Sequence, residues 1–325
     1  MAKPAILVTG GAGYLGSVLV NLLLNEGHSV RVLDALRFGG ESLLGCWSHS
    51  SFEFVRGDIR DLDAVRACVK GVRAVVHLAA VVGDPACSKQ PAEAREVNLD
   101  ASLRLFDECC RAGTAAFIFA STCSNYGVTA PENEYATEAS ELAPLSLYAE
   151  TKVQGERKIL AGTATHGTKV IVLRFATLFG ASPRMRFDLT VNEFTMQMLT
   201  KKHLFVYAAE TWRPYIHVLD AARAVCAALN SPDTARGQVY NVGSTAENYR
   251  KRDIVRLTEA QLPDARVEYG DCGPDPRNYR VCFNKISQDL GFSTTRTVPV
   301  GIAEIIHLLQ SGVIRTPDDP HYRNC

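Results

Sequence analysis

A glycine-rich stretch near the start of the chain constrains the fold more than any other feature of the sequence. An apolar run at residues 5–8 leads into TGGAGYLGS, and residues 18–25 then show the apolar repeat of a helix. The spacing of Gly10, Gly13 and Gly16 matches dinucleotide-binding loops, in which glycines give a tight turn and let a pyrophosphate approach the backbone. The stretch therefore predicts a strand, a phosphate-binding loop and a helix whose N-terminal N–H groups face the phosphates.

The next predicted strand, SVRVLDAL, ends on an acidic residue, Asp34. A carboxylate there can accept hydrogen bonds from both ribose hydroxyls of an adenosine and would repel a 2′-phosphate, so Asp34 favours NAD over NADP. Two alternatives stay open, because the neighbouring Arg37 would suit NADP and because a strand-end aspartate can simply cap a turn.

Strand-like and helical segments alternate through the first half of the chain. Further strands are predicted at 52–56, 74–78 and 116–119, with helices near 62–69 and 93–110. This alternation predicts an α/β fold with a Rossmann-type doubly wound parallel sheet. Ligands of such sheets bind at the carboxyl ends of the strands, so the segments 57–59, 78–80 and 120–122 should line one crevice.

A tyrosine and a lysine four residues apart, Tyr148 and Lys152, occur in YAETK and should share one face of a helix. An ammonium beside a phenol favours the phenolate and so lowers the pKa of the tyrosine. Such a tyrosine can move a proton to or from a sugar hydroxyl near neutral pH. The pair alone is a weak signal, but together with the glycine loop and Asp34 it predicts an NAD-dependent reaction.

The charge balance and the apolar runs exclude several classes of partner. Among 325 residues, 35 Lys and Arg face 35 Asp and Glu without a block of like charge, so neither nucleic acid nor an anionic membrane surface is expected. The apolar runs are too short to cross a bilayer and no signal peptide precedes the first strand, so a cytoplasmic protein is expected. Ten cysteines without a Cys-x-x-Cys pair indicate neither a metal site nor a disulfide framework.

In its motifs the sequence resembles the extended short-chain dehydrogenase/reductase family, and within it the NAD-dependent nucleotide-sugar epimerases and dehydratases. The matching segments are TGGAGYLGS, GDIRD, HLAA, VNLDAS, STCSNYG, YAETK, LRFATLFG and RPYIHVLD. The resemblance implies a Rossmann domain at 1–180 plus about 212–242, and a smaller lobe at about 181–211 and 243–325 that binds a nucleoside-diphosphate sugar. It also implies a homodimer formed through helices at 98–110 and 148–160, with Leu103, Phe106, Val153 and Ile159 as candidates for apolar outer faces.

The resemblance also assigns residues to the expected site. Thr122 would hydrogen-bond the sugar oxygen that is oxidised, with Tyr148 as the base and Lys152 as its partner. Cofactor contacts are expected from Gly10, Gly13, Tyr14, Leu15, Asp34, Asp58, Ile59, Leu78, Ala79, Ala80, Asn98, Ala120, Tyr148 and Lys152. Substrate contacts are expected from Val82, Thr122, Ser124, Thr177, Asn192, Arg213 and from Arg277 or Arg280.

The two residues after Thr122 separate the reactions that such a family carries out. Its 4,6-dehydratases have Asp-Glu there, whereas this chain has Cys123 and Ser124, and the glutamate of its decarboxylases is also missing. Its 3,5-epimerases have a cysteine two residues before the Tyr-Gly tyrosine, a position that Ser124 holds here. The reaction that remains needs only Thr122, Tyr148, Lys152 and NAD, and is C4 epimerisation through a transient 4-keto sugar. Cys123 is interpreted as a small wall residue; the alternative is a second acid or base in an enolising 3- or 5-epimerase.

The reaction, the substrate and several charged residues have further alternative interpretations. A 4-keto-sugar reductase using NAD(P)H would need the same residues, and a non-catalytic NAD-binding regulator can share the fold. Thr177 stands where some uronic-acid epimerases have threonine, so a UDP-glucuronate-like substrate is one alternative. Each arginine, Arg184 and Arg186 above all, could instead form a surface ion pair, and His217 is expected to serve structure.

Overall fold

A sheet of seven parallel strands forms the centre of the structure, a computed structural model that describes residues 4–128, 134–163, 167–231, 233–270 and 277–324. The strands of the described residues, in this sheet and in two smaller ones, are β1 (Ile6–Thr9), β2 (Val30–Asp34), β3 (Phe52–Arg56), β4 (Ala74–His77), β5 (Ala116–Thr122), β6 (Lys169–Phe175), β7 (Thr177–Phe179), β8 (His203–Tyr207), β9 (Trp212–His217), β10 (Gln238–Val242), β11 (Asn248–Arg250) and β12 (Arg266–Gly270). The order in the large sheet is β10-β6-β5-β4-β1-β2-β3, and every neighbouring pair is parallel. This confirms the predicted Rossmann-type doubly wound sheet, whose strand order reverses between β1 and β4.

Helices cover both faces of this sheet. The helices are α1 (Tyr14–Asn25), α2 (Leu62–Val69), α3 (Asp84–Lys89), α4 (Pro91–Arg95), α5 (Ser102–Arg111), α6 (Leu147–Gly162), α7 (Thr190–Thr200), α8 (Val218–Leu229), α9 (Lys251–Glu259), α10 (Asn284–Leu290) and α11 (Val298–Gln310). α1 and α8 share a core with one face of the sheet, and α2, α5 and α6 share a core with the other. Because both faces are covered, β1, β4 and most of β6 read as continuous buried runs rather than as alternating ones.

The smaller sheets lie in the second half of the chain. β9 pairs with β7 and β11, and β12 pairs with β8, around a third core that includes Phe179, Val191, Ile254 and Val298. Of the segment 212–242 that was expected in the Rossmann domain, α8 and β10 belong to the large sheet and its helical layer, whereas β9 belongs to the three-stranded sheet. The boundary between two lobes stays a prediction.

The predicted elements agree with the structure except near the functional loops. β3 and α2 have the predicted bounds, but α1 begins at Tyr14 rather than at residue 18, and β5 continues to Thr122. The predicted helix at 93–110 is α4, a π-helical turn over Glu96–Ala101 and α5 in succession. The extra length of β5 brings Thr122 to the carboxyl edge of the sheet.

The helices expected to form a dimer interface do not have the expected apolar outer faces. Phe106, Val153 and Ile159 are at most 3% exposed and pack inside the chain, and Leu103 is half-buried. The exposed positions of these helices are polar or charged, for example Asp100, Arg104, Asp107, Gln154, Arg157 and Lys158. Phe106, Val153 and Ile159 were therefore wrong as interface candidates, whereas the half-buried Leu103 and the homodimer itself stay predictions. Within the described ranges, no helix is long and apolar enough to cross a membrane.

Candidate active site

A cleft of about 770 Å³ opens at the carboxyl edge of the large sheet, where the strand order reverses. Residues of the glycine loop, of the ends of β2, β4 and β5, of α6 and of the segment after β6 line it. The predicted site residues found in its lining are Gly10, Gly13, Tyr14, Leu15, Asp34, Asp58, Ile59, Leu78, Ala79, Ala80, Val82, Ala120, Thr122, Ser124, Tyr148, Lys152, Thr177 and Arg277. The fold thus brings together residues from the first and the last quarter of the chain.

The glycine loop has the backbone geometry that a pyrophosphate needs. Gly10 has a φ of 75°, and a Cβ atom there would lie 2.7 Å from the backbone nitrogen of Ala79. A Cβ atom at Gly16 would lie 2.7 Å from the Cα atom of Gly11, so no larger residue fits at either place. Gly13 precedes α1 and has no side chain to cap it, so among the described residues the first N–H groups of α1 are left without a capping side chain.

Asp34 stands at the end of β2 in the position suited to an adenosine ribose. Its carboxylate accepts hydrogen bonds from the backbone N–H groups of Leu36 (2.8 Å) and Ala12 (2.9 Å). Burial raises the pKa of Asp34, and these two hydrogen bonds act against the rise. Arg37, whose guanidinium would suit a 2′-phosphate, donates instead to Gln90 (2.7 Å) and Glu93 (2.9 Å). The residues at this end of the cleft fit NAD better than NADP.

Tyr148, Lys152 and Thr122 line the same cleft. The Lys152 ammonium donates to the carbonyl of Ala120 (2.9 Å) and lies 5.9 Å from the centre of the Tyr148 ring. Thr122 Oγ1 accepts the backbone N–H of Ser124 (3.1 Å) and lies 2.7 Å from its Oγ. α6 presents the tyrosine and the lysine on one face, as their spacing predicts.

The electrostatics of this pair differ from the prediction. Burial raises the pKa of Tyr148. The nearby Cys87 and Asp84 raise this pKa further, and Arg186 lowers it. Burial also lowers the pKa of Lys152 to about 8. The expectation that Tyr148 has a lowered pKa was therefore wrong for this structure, because desolvation of the phenol is the largest contribution.

Cys123 does not reach the cleft. It is 1% exposed, and its thiol donates to the carbonyl of Arg174 on β6 (3.2 Å). Burial raises the pKa of the thiol, so the thiolate is disfavoured. The interpretation of Cys123 as a wall residue of the site was therefore wrong, and its alternative role as an acid or base finds no support in this position; Ser124, the next residue, lines the cleft instead.

A buried polar cluster fixes α6 against β5 and β6, and the sequence analysis missed it. Glu156 pairs with Arg174 through two nitrogens (2.8 and 3.1 Å) and accepts further hydrogen bonds from Ser121 and Asn125. Arg174 also donates to Tyr126 (2.9 Å). Glu156 follows Lys152 by four residues on the same helix face, and this spacing was the available signal.

Four residues expected to contact ligands lie behind the cleft instead. Asn98 holds the backbone of Val81 through both of its amide atoms (2.8 and 2.9 Å). Asn192 donates to Tyr14 Oη (3.1 Å), and that phenol donates to the Gly180 carbonyl (2.5 Å).

The Arg213 guanidinium donates to the carbonyls of Trp212 and Arg277 (both 2.6 Å). The Arg280 guanidinium stacks on Trp212 (5.0 Å) and on Tyr135 (4.8 Å). The first three of these side chains bond to Val81, Tyr14 and Arg277, which line the cleft, whereas the contacts given for Arg280 lie outside the lining. His217, bonded to Glu304 (2.7 Å), also lies outside its lining.

The cleft also contains residues whose place there the sequence analysis did not predict. Arg184 and Arg186, possible surface ion-pair partners in the sequence, are only 4% and 8% exposed and line the cleft. Tyr279 lines it close to Ser124, under the Arg213 guanidinium (5.0 Å). Burial of a loop arginine depends on contacts between distant segments, which no local pattern records.

Arg277 is the one of the two arginines in DPRNYR that lines the cleft. Its guanidinium forms an ion pair with Asp84, another lining residue. Arg277 is therefore the better placed of the pair to meet a ligand.

The fold and the cleft define a Rossmann-type protein in which a paired tyrosine and lysine line the same cleft as a glycine loop. The model of the NAD dependent epimerase/dehydratase family matches residues 6–243, and the chain therefore belongs to that family of enzymes. This confirms the resemblance found in the motifs.

The similar proteins include both dehydratases and epimerases. A dTDP-glucose 4,6-dehydratase of Streptomyces griseus is 31% identical over 310 residues, covering 93% of this chain and 92% of that protein. A UDP-glucose 4-epimerase of Corynebacterium glutamicum is 28% identical over 312 residues, covering 90% and 91%. The solved structure of MoeE5 in complex with UDP-glucuronic acid and NAD is 28% identical, with a TM-score of 0.84, and the match covers 95% of this chain and all of that one. Similarity alone leaves the choice between epimerase and dehydratase open.

Proposed function

We propose that this protein is an NAD-dependent nucleotide-sugar epimerase that inverts C4 through a transient 4-keto sugar. One observation carries the choice between reactions. The cleft holds Thr122, Tyr148 and Lys152, which suffice to move a proton at one sugar hydroxyl, but the two positions after Thr122 add no carboxylate to it. Elimination of water from C5 and C6 requires an additional acid and base, and Cys123 is buried away from the cleft.

The cofactor would lie along the carboxyl edge of the sheet. Asp34 would hold its adenosine ribose, the glycine loop and the start of α1 its pyrophosphate, and Tyr148 and Lys152 would lie at its nicotinamide end. When bound, NAD supplies a hydride acceptor and donor for the sugar carbon.

The chain's own residues move the proton and hold the sugar oxygen. Tyr148 takes the proton from the C4 hydroxyl as the sugar is oxidised and returns it to the same oxygen after the ketone has turned in the cleft. Thr122 Oγ1 accepts the Ser124 N–H (3.1 Å) and shares one hydrogen with Ser124 Oγ (2.7 Å); when Ser124 donates that hydrogen, the Thr122 proton is available to the sugar oxygen. Lys152, fixed by the Ala120 carbonyl, places a positive charge near the phenol and favours the phenolate as the proton leaves.

The substrate class is supported by two residues that line the cleft, Arg277 and Thr177, and by the family. Arg277 lines the cleft and can turn from Asp84 to a diphosphate, since its guanidinium fork suits phosphate oxygens. Thr177 lines the cleft as well, so its hydroxyl is available to a sugar substituent. MoeE5, whose solved structure holds UDP-glucuronic acid, makes a uronic acid a sensible member of the substrate panel.

The test is incubation with UDP-, dTDP-, GDP- and CDP-sugars in heavy water, with products followed by NMR. A C4 epimerase inverts one centre without net redox change and without deuterium at C3 or C5. Loss of water with deuterium entering the ring would identify a dehydratase, and stoichiometric oxidation of added NADH or NADPH a reductase. Either result would refute the proposal. Tyr148→Phe, run beside the wild type, controls for a contaminating epimerase.

A further inference from the structure

Arg184 is a buried cation without a matching anion. It is 4% exposed and lines the cleft, yet its Nε–H has no hydrogen-bond partner in the described part of the chain. Burial, with the nearby Arg186 acting in the same direction, lowers the pKa of its guanidinium to about 10. A buried cation is normally paired with an anion, whereas the acceptor that the Arg184 guanidinium does have, the Arg323 carbonyl, is neutral, so the charge is left without an anion of its own.

The neighbouring Arg186, in the same loop, differs from Arg184 because it is paired with a carboxylate. Its Nε and one terminal nitrogen donate to the two oxygens of Asp188 (2.9 and 2.8 Å). This fork pairs one cation with one carboxylate and leaves the charge of Arg184 unmatched. The loop therefore brings two cations into the cleft with one anion.

The contacts of Arg184 place it at the cofactor end of the cleft. Its guanidinium stacks on the ring of Phe38 (4.3 Å), four residues after Asp34. Its backbone N–H donates to Ser182 Oγ (3.3 Å), and that hydroxyl donates to the carbonyl of Tyr14 in the first turn of α1 (2.7 Å). Arg184 is thus fastened to the end of α1 that follows the glycine loop.

The segment at 322–324 holds this loop in position. The Arg323 carbonyl accepts a hydrogen bond from the guanidinium of Arg184 (3.1 Å). The Phe187 N–H donates to the Tyr322 carbonyl (2.9 Å), and the Asn324 N–H donates to Asp188 (3.0 Å). The guanidinium is therefore oriented before any ligand binds, which lowers the entropy lost on binding.

We propose that Arg184 binds the pyrophosphate of NAD, from the side opposite to the glycine loop. The inference rests on the proposed use of NAD and adds a residue that no glycine-loop motif contains. The cofactor is then gripped between α1 and the loop after β7, and its release requires that loop to withdraw. Such retention suits an epimerase, which regenerates its cofactor within each turnover, better than a reductase, which must exchange it.

The experiment compares nucleotide binding by the full chain, freed of bound nucleotide, with that of Arg184→Met and Arg184→Lys. Calorimetry with NAD and with ADP-ribose reports ligands that contain the pyrophosphate, and ligand-observed NMR with adenosine reports one that lacks it. Loss of the fork should weaken NAD and ADP-ribose alike by about 10- to 100-fold and leave adenosine within about twofold. Lysine should restore part of the loss, because it keeps the charge without the fork.

A matched control is Arg223→Met. Arg223 also stacks on a phenylalanine, Phe292 (5.9 Å), but lies outside the lining of the cleft, so NAD affinity should not change. NAD affinity of Arg184→Met within twofold of the wild type would overturn the inference. So would a loss confined to UDP binding by the NAD-loaded protein, which would assign Arg184 to the substrate. A wild type that bound no NAD would refute the proposed function itself.

Discussion

Replacement of Lys152 by methionine should stabilise the protein while it abolishes turnover. Lys152 is 2% exposed, and the one hydrogen bond of its ammonium among the described residues goes to the Ala120 carbonyl (2.9 Å). Burial lowers its pKa from 10.5 to about 8, which means that the folded state disfavours the charge needed near Tyr148. The position therefore exchanges stability for activity.

The size of the effect follows from that pKa. A fall of about 2.5 in pKa corresponds to about 3 kcal/mol of unfavourable free energy in the protonated folded state. Loss of the hydrogen bond to Ala120 opposes this by about 1 kcal/mol. At about pH 7, where the lysine is largely protonated in both states, Lys152→Met should raise the free energy of unfolding by about 2 kcal/mol.

The pH dependence of the stability difference between Lys152→Met and the wild type tests the sign of this effect separately. Below about pH 8 the lysine is charged in both the folded and the unfolded state, so the full penalty is present. Between about pH 8 and 10.5 the folded lysine loses its proton while the unfolded one keeps it, so the wild type gains stability as pH rises. The advantage of Lys152→Met should therefore shrink across this range.

The assay is urea unfolding of both proteins without cofactor at about pH 7 and about pH 10, with turnover measured in parallel. Lys285→Met is the control, because Lys285 is half-buried and donates to Gln238 and to the Val239 carbonyl (both 2.9 Å), so its removal should only destabilise. A Lys152→Met variant that is less stable than the wild type at neutral pH, or whose advantage does not change with pH, would refute the reasoning.

Three further substitutions test the site and its support. Tyr148→Phe should lower turnover by about 10² to 10⁴ with NAD binding retained, and turnover within threefold of the wild type would remove the phenol from the mechanism. Cys123→Ser should keep at least about a tenth of the turnover, since the thiol faces the core; a loss beyond about a hundredfold, with solvent deuterium in the sugar ring, would restore an enolising mechanism. Arg174→Met should cost about 3–5 kcal/mol by leaving Glu156 buried without its cation, and adding Glu156→Leu should recover part of it in unfolding experiments; equal costs would contradict the pairing.

The cofactor half of the cleft was predictable from the sequence because its determinants are local. Gly10 and Gly16 are required by backbone contacts within the loop and with the residues after β4, and Asp34 is placed by the end of its own strand. The helix period likewise put Tyr148 and Lys152 on one face. Each of these features depends on a short stretch of chain and on a repeating geometry.

The substrate half was predictable only in part because its determinants lie between distant segments. Thr122, Cys123 and Ser124 follow one another at the end of β5. The turn there directs Thr122 and Ser124 to the cleft and Cys123 to the core. Asn192 and Arg213 have side chains that could reach a phosphate, but closer partners, Tyr14 and the Arg277 carbonyl, occupy them. Side-chain direction in turns and loops is set by tertiary packing, which the sequence alone does not display.

The hydrogen bonds of Tyr14 have a thermodynamic consequence. The phenol of this first residue of α1 bonds to the Gly180 carbonyl and to Asn192, so the start of α1 is tied to the segment after β7, and both line the cleft. Two ligands that order the same joined structure bind with a shared coupling free energy. By linkage, whatever factor a nucleotide sugar adds to the affinity for NAD, NAD must add to the affinity for the sugar.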